Sequence, residues 1–322
     1  RHTRYWRDWS SDVCSSDLYL LIVKIILNLS NQVKKSLTIW ITGALGQLGN
    51  ELRELSKTHS DCTFLFTDRD DLPIENEEAV QQYFETHAID YCINAAAYTA
   101  VDVAETEKDT AYLINATAVG YLAKACKKHG AKFIHISTDY VFDGTNANGY
   151  EPYDAPGPLN VYGASKLAGE LQAIKDNRDS LVIRTSWVYS SFGKNFVKTM
   201  MRLMSEKKEI SVVNDQVGRP TYAADLAKTI FSIVFNSADF IPGIFHYSNE
   251  GVISWYDFAL AIKENGKYKC KVHPIASEAY PTPAKRPAYS ILKTDKIEKV
   301  YSIQIPHWRE SLDACMNILQ HS

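Results

Sequence analysis

The sequence predicts an α/β fold: a doubly wound, mostly parallel sheet with a smaller, interleaved C-terminal lobe. Three observations carry this reading. Short apolar runs alternate with amphipathic segments from Leu37 to about Thr185, the pattern of strands covered by helices on both faces. The first run ends in a glycine-rich turn that opens a helix, Gly43-Ala44-Leu45-Gly46-Gln47-Leu48-Gly49. Beyond Trp187 the alternation loosens, which sets off the last third of the chain. The expected division is an N-terminal extension over 1–36, a sheet domain over 37–188, and a lobe over 189–322 that returns elements to the sheet.

The elements follow in order. Leu37 to Thr42 reads as a strand, and Gly46 to Lys57 as a helix with Leu48, Leu52 and Leu55 on one stripe. Cys62 to Thr67 is a second strand, Glu75 to His87 a second helix, and Tyr91 to Asn94 a third strand. A helix over roughly Asp109 to His129, a strand from Lys132 to Ser137, a helix from Val161 to Lys175 and a strand from Leu181 to Thr185 complete the regular part. Later, Phe196 to Met204 and Ala223 to Phe235 look helical, Ile210 to Val213 strand-like, and Gly243 to Ser248 a strand returning to the sheet. Tyr280 to Pro287 is a proline-dense loop, fixed in backbone geometry where a ligand can be gripped.

Composition narrows the function classes. The 322 residues carry a formal charge of −3, so no global field favours nucleic acid or an anionic membrane as partner. The six cysteines are scattered without Cys-x-x-Cys or metal-ligand spacing, the usage of a reduced, cytoplasmic protein with no bound metal. The first 36 residues do not fit the rest. Arg1 to Leu18 is polar and aperiodic, and resembles a translated sequencing adapter joined to a true reading frame. Leu18 to Leu29 is apolar but short, carries Lys24 and lacks a following cleavage site, so neither a membrane span nor a signal peptide is expected there.

The glycine turn has the context that a dinucleotide site demands: a strand before it, a helix after it, and an acid, Asp68, at the end of the next strand. Gly43, Gly46 and Gly49 let the backbone approach a pyrophosphate, while Gln47 and Leu48 begin the helix whose free N–H groups face it. Asp68 suits the adenosine ribose diol and argues for NADH; its neighbour Arg69 suits a 2′-phosphate and argues for NADPH. NADPH or NADH is the expected cofactor, with Asp71 and Leu72 beyond the same strand end. Small residues close the third strand at Asn94-Ala95-Ala96-Ala97, leaving room for a flat ring or giving tight helix–sheet packing.

Tyr162 and Lys166 stand four apart on a helix and share a face. An ammonium beside a phenol favours the phenolate, so Lys166 is expected to ease proton exchange between Tyr162 and a carbonyl oxygen. Thr138, at a strand end, is placed to hold that same oxygen. Such a trio beside a dinucleotide site is equipment for moving hydride onto a ketone.

These motifs, with Ser137 to Gly144, Asn160 to Glu170, Arg184 to Tyr189 and Asn214 to Thr221, resemble the extended short-chain dehydrogenase/reductases. Among these enzymes the similarity is to the dTDP-4-dehydrorhamnose reductase family, from Ile39 to about Trp308. The resemblance implies a Rossmann-like fold and reduction at C4 of dTDP-4-dehydro-β-L-rhamnose, a nucleotide-sugar substrate. It implies Tyr162, Lys166 and Thr138 as catalytic residues, with Lys166 also on the nicotinamide ribose. Ala96, Ala97 and Tyr98 would line the cofactor, although histidine is common where Tyr98 stands. Asp139 and Trp187 align with sugar-nucleotide contacts; Trp187 also reads as a core residue. Arg286 would pair with phosphoryl oxygens or stand as a solvated surface arginine, with Arg219 a weaker candidate. Asp102 and Glu105 are expected to cap the next helix. A homodimer is a further expectation. Dehydration is disfavoured because Thr138-Asp139 is followed by Tyr140 and not a second carboxylate. An epimerase, or a non-catalytic binder similar to the regulatory β-subunit of methionine adenosyltransferase, is the remaining alternative.

Overall fold

The computed structural model describes residues 36–235 and 239–321. The expectations for 1–36, Ser36 apart, lie outside the described residues. The first half alternates strand and helix: β1 (Thr38–Thr42), α1 (Gln47–Ser56), β2 (Thr63–Thr67), α2 (Glu77–Thr86) and β3 (Tyr91–Asn94). Next come α3 (Lys108–Tyr112), a π-helical turn (Leu113–Thr117), α4 (Ala118–His129), β4 (Lys132–Thr138), α5 (Val161–Asp176) and β5 (Ser180–Thr185). The second half holds α6 (Phe196–Glu206), β6 (Glu209–Val213), α7 (Ala223–Phe235), β7 (Gly243–Tyr247), α8 (Trp255–Asn265), β8 (Lys271–Ile275), α9 (Asp295–Tyr301) and α10 (Trp308–His321).

The central sheet has six strands in the order β7-β5-β4-β3-β1-β2, and every pairing is parallel. β1 lies between β3 and β2, so the order reverses there and a crevice opens at the strands' carboxyl ends. Alternation along β1 shows why the sheet is covered on both faces. Ile39 and Ile41 pack into one core with α1 and α7, while Trp40 points into the other with α2 and α4. Trp40 is fully buried, and its indole N–H finds Thr67 Oγ1 at 2.8 Å. The doubly wound parallel sheet anticipated from the sequence is what forms.

The strand at 243–247 does return to the sheet, beside β5. A third core joins α6, α8 and α10 in the second half of the chain, where β6 pairs with β8 in a separate two-stranded sheet. The single helix expected over 109–129 is interrupted by the π turn. Among the described residues no helix is long and apolar enough to cross a membrane.

Candidate active site

A cleft of about 890 Å³ runs along the carboxyl ends of β1, β3, β4 and β5. The glycine turn lines it at one end, with Thr138, Asp139, Tyr162, Lys166, Trp187 and Trp255 among its other walls. Of the residues anticipated from sequence, Gly43, Gly46, Gln47, Leu48, Asp68, Arg69, Leu72, Ala96, Ala97 and Tyr98 also line it.

The glycine end is a cradle that side chains would fill. Gly43 has φ +66°, and a Cβ there would lie 2.6 Å from the Ala96 nitrogen. Gly49 does not line the cleft; a Cβ on it would stand 2.2 Å from the Gly43 carbonyl oxygen, so it lets the helix seat beneath the turn. Gly46 caps α1 without a side chain, leaving first-turn N–H groups for an anion. A dinucleotide pyrophosphate fits this donor set. Asp68 accepts the Leu45 N–H at 2.8 Å and the Arg69 N–H at 2.8 Å. Asp71 does not line the cleft and accepts the Asp68 N–H at 3.0 Å. Gln47 ties the turn to the second half of the chain: its Oε1 accepts from Asn195 at 3.0 Å and its Nε2 donates to the Val188 carbonyl at 3.4 Å.

Helix α5 presents Tyr162 and Lys166. Its start is fixed twice: Asn160 Oδ1 accepts the Gly163 N–H at 2.8 Å, and Glu105 Oε1 accepts the Val161 N–H at 2.8 Å. One turn beyond Lys166, Glu170 receives the buried Arg184 guanidinium at 2.9 and 2.6 Å and the Ser137 hydroxyl. The helix is thereby bolted to β4 and β5, the strands that end in Thr138 and Thr185.

The electrostatics differ from the sequence expectation. Lys166 Nζ donates to the Ile136 carbonyl at 2.6 Å and comes within 3.5 Å of His135 Nε2, and burial brings its pKa down to about 8. The Tyr162 phenol is pushed up to about 12, chiefly by burial, with the Asp139 charge adding to the rise and a hydrogen bond with Thr138 opposing it. Desolvation of the anion therefore outweighs any help from Lys166, and Tyr162 holds its proton firmly. Asp139, 2% exposed, has its pKa raised to about 7 by burial.

Further expectations are corrected. Arg286 does not line the cleft; its guanidinium grips Asp102 at 3.0 and 2.8 Å. Asp102 thus anchors the proline-rich loop and caps no helix through its side chain, while Glu105 caps α5 and not the helix that follows it. Trp187 does line the cleft, but one indole face is stacked on Trp255 with ring centroids 3.7 Å apart. Behind it, a Cβ at Gly218 would lie 2.8 Å from the ring. The backbone of Trp187 has φ +48°, a strained conformation for a bulky residue. Trp187 therefore meets the cleft with a ring already packed on one face.

Several site residues escaped the sequence reading. Asn115, in the π turn, accepts the Tyr98 N–H at 2.8 Å and donates to Ser165 Oγ at 3.0 Å, tying the cofactor-side loop to α5. His135, fully buried and held neutral by burial, backs Lys166. Trp255 arrives from α8, directly behind the N-cap of the Ser254–Asp257 capping box. Readable signals were present in Asn160, a helix-capping residue directly before an apolar-periodic run, and in Ser254 with Asp257 three residues on, a capping box before α8.

Comparison with known proteins adds to this geometry. The RmlD substrate binding domain family matches residues 37–321. The spore coat polysaccharide biosynthesis protein SpsK of Bacillus subtilis is 41% identical over 275 residues, covering 85% of this chain and 95% of the relative. The dTDP-4-dehydrorhamnose reductase of Aggregatibacter actinomycetemcomitans is 40% identical over 281 residues, covering 84% of this chain and 96% of that enzyme. Among solved structures, the dTDP-4-dehydrorhamnose reductase of Bacillus anthracis in complex with NADP superposes with a TM-score of 0.84 at 40% identity, covering 88% of this chain and 99% of the other.

Proposed function

Because the chain belongs to the RmlD substrate binding domain family, and within it to the dTDP-4-dehydrorhamnose reductases, we propose that it reduces the C4 ketone of dTDP-4-dehydro-β-L-rhamnose to dTDP-β-L-rhamnose. The observation that carries this reading is the meeting of Tyr162, Thr138 and Lys166 on one wall of a cleft whose far end is the glycine cradle. NADPH or NADH, when bound, supplies hydride. Gly43, Gly46, Gln47 and Leu48 would hold its pyrophosphate, Ala96, Ala97 and Tyr98 would lie along it, and Arg69 would reach its adenosine end.

The chain's own residues handle the proton. As O4 gains negative charge, Tyr162 gives up the hydrogen on its phenol oxygen. A phenol near pKa 12 keeps that hydrogen until a strongly basic oxygen forms, which suits an alkoxide and not a resting ketone. Thr138 steadies the same oxygen, and Asp139 and Trp187 frame the sugar. Lys166, held on the Ile136 carbonyl, stands one turn along α5 from Tyr162 and would reach the ribose hydroxyls. Arg286, engaged by Asp102, acts by fixing the proline-rich loop, whose Lys285 carbonyl accepts from Asn160 at the start of α5.

The test is loss of dihydronicotinamide absorbance on adding the 4-keto sugar nucleotide. Tyr162→Phe should lower kcat by about 10²–10⁴-fold with KM little changed; full activity in that variant removes Tyr162 from the chemistry. Assays with dTDP and UDP sugars decide the nucleotide. A reduced, cytoplasmic setting and a homodimer belong to the same proposal. Exposed Tyr112, Leu113 and Leu171, on segments that pack together, support a second copy, and a light-scattering mass of one chain would refute it.

A further inference from the structure

The chain beyond β5 comes back to the glycine turn. Ser190 Oγ donates to Glu51 Oε1 at 2.6 Å, and Asn195 Nδ2 donates to Gln47 Oε1 at 3.0 Å. Both acceptors belong to α1, the helix whose start faces the cradle. Between these anchors the loop is drawn in by its own bonds. Ser190 Oγ accepts the Phe192 N–H at 2.9 Å, and Asn195 Nδ2 also donates to the Ser190 carbonyl at 2.7 Å. Gly193 takes φ +64°, and a Cβ there would stand 3.1 Å from Gln47 Cγ. The loop backbone therefore passes directly against the first residue of α1.

Lys194 follows that contact. Its backbone is fixed from the other side by Asn195, whose Oδ1 accepts the Lys198 N–H at 3.1 Å and caps α6. Lys194 is exposed, lines the cleft together with Gly46, Gln47 and Gly193, and joins no ion pair among the described residues.

The charges of the cleft are unevenly placed. Its lining holds two other cations, Arg69 and Lys166. Arg69 follows β2, and Lys166 is held on the Ile136 carbonyl. Arg286 stands outside the lining, tied to Asp102. The acids of the lining are Asp68 and Glu75, which follow β2, and Asp139, which follows β4. The glycine turn itself offers a dianionic pyrophosphate only the partial charges of its N–H groups. Lys194 is the full, uncommitted positive charge beside them.

Resting on the reductase reading above, we propose that Lys194 completes the cofactor site from the second half of the chain: its ammonium pairs with the pyrophosphate of the dinucleotide, adding a full charge to the N–H groups of the glycine turn. NADH and NADPH share that pyrophosphate, so Lys194 serves both, whereas Arg69 distinguishes them. A bound cofactor then adds one more fastening between the Ser190–Asn195 loop and α1, beside the Ser190–Glu51 and Asn195–Gln47 bonds.

The experiment is equilibrium binding of NADH and of NADPH, read by dihydronicotinamide fluorescence without any sugar nucleotide. It compares the wild type with Lys194→Gln and Lys194→Arg. Lys194→Gln should raise the Kd of both dinucleotides by about five- to tenfold at low salt, and the gap should narrow as salt is added. Lys194→Arg, which keeps the charge, should bind within about twofold of the wild type. Unchanged Kd values in Lys194→Gln overturn the assignment. A loss confined to NADPH overturns it too, since Lys194 would then hold the 2′-phosphate. So does a raised KM for the sugar nucleotide with both Kd values unchanged, which would give Lys194 to the diphosphate of the sugar. Wild-type protein that binds neither dinucleotide sinks the reductase reading and this inference together; equal, tight binding by the wild type and Lys194→Gln sinks this inference alone.

Discussion

Both carboxylate oxygens of Asp68 are engaged by backbone N–H groups, those of Leu45 and Arg69. The acid thus shapes the glycine turn, while Arg69 lines the cleft beside it. That arrangement tilts the adenosine end toward a 2′-phosphate. Arg69→Ala should raise KM for NADPH by about tenfold, one charge-assisted contact, and leave KM for NADH nearly unchanged; equal changes for both would place Arg69 outside cofactor choice. Single residues were legible where chemistry follows local spacing, as with Tyr162 and Lys166 on one helix face. Arg286 was not, because its partner Asp102 lies 184 positions away in the chain. The tuning of Tyr162 was missed for another reason: spacing places a cation nearby, yet burial, which no local pattern reveals, dominates the outcome.

Helix α5 shows how an element, and not a residue, sets the geometry of the wall it forms. Its N-terminus is held by Asn160 and Glu105, its middle by the Glu170–Arg184 pair, whose side chains are 1% and 3% exposed. Removing the cap with Asn160→Ala should cost about 1 kcal/mol. Glu170→Ala leaves a buried guanidinium without its carboxylate and should cost about 3–5 kcal/mol. Urea unfolding of the two variants checks the ranking, and equal losses would mean the buried pair is not the stronger anchor. The glycine turn and the leucine stripe made the boundaries of α1 readable to within a residue or two, and those of α5 were read as closely. The π turn at Leu113–Thr117 was not, since its register shift serves Asn115, which reaches across to Tyr98 and Ser165. Helices α8 and α10 went unread, although Leu312, Cys315 and Met316 repeat at helical spacing and are buried together.

Across the whole molecule, buried histidines govern the response to acid. His246 on β7 has both ring nitrogens without a partner, and burial, with the Arg184 charge beside it, lowers its pKa to about 3. His135 is lowered as well, by burial and by Lys166. Each binds a proton more readily unfolded than folded, so stability falls as the pH drops from about 6.5. Asp139 works in the other direction, since its raised pKa favours the folded state increasingly as the pH drops from about 7 toward 4. Glu51, raised by burial too, shares the direction of Asp139 but lies nearer its ordinary range, so the two histidines predict a Tm that declines through this window. His246→Phe, which removes a titratable ring of similar shape, should flatten the decline and leave the Tm at neutral pH unchanged or higher. A decline as steep as that of the wild type would exclude His246 as its source.

The edge position of β7 bears on how the chain is made. Strand β5 is complete at Thr185, but its neighbour on that side is Gly243–Tyr247, which a ribosome reaches only after adding more than fifty further residues. Until then a nascent chain exposes the unpaired rim of an apolar strand, an invitation to stick to its neighbours. Synthesis halted between these two strands would yield a sticky, protease-sensitive product, and a chaperone that shields hydrophobic rims should be found on ribosomes stalled in that interval.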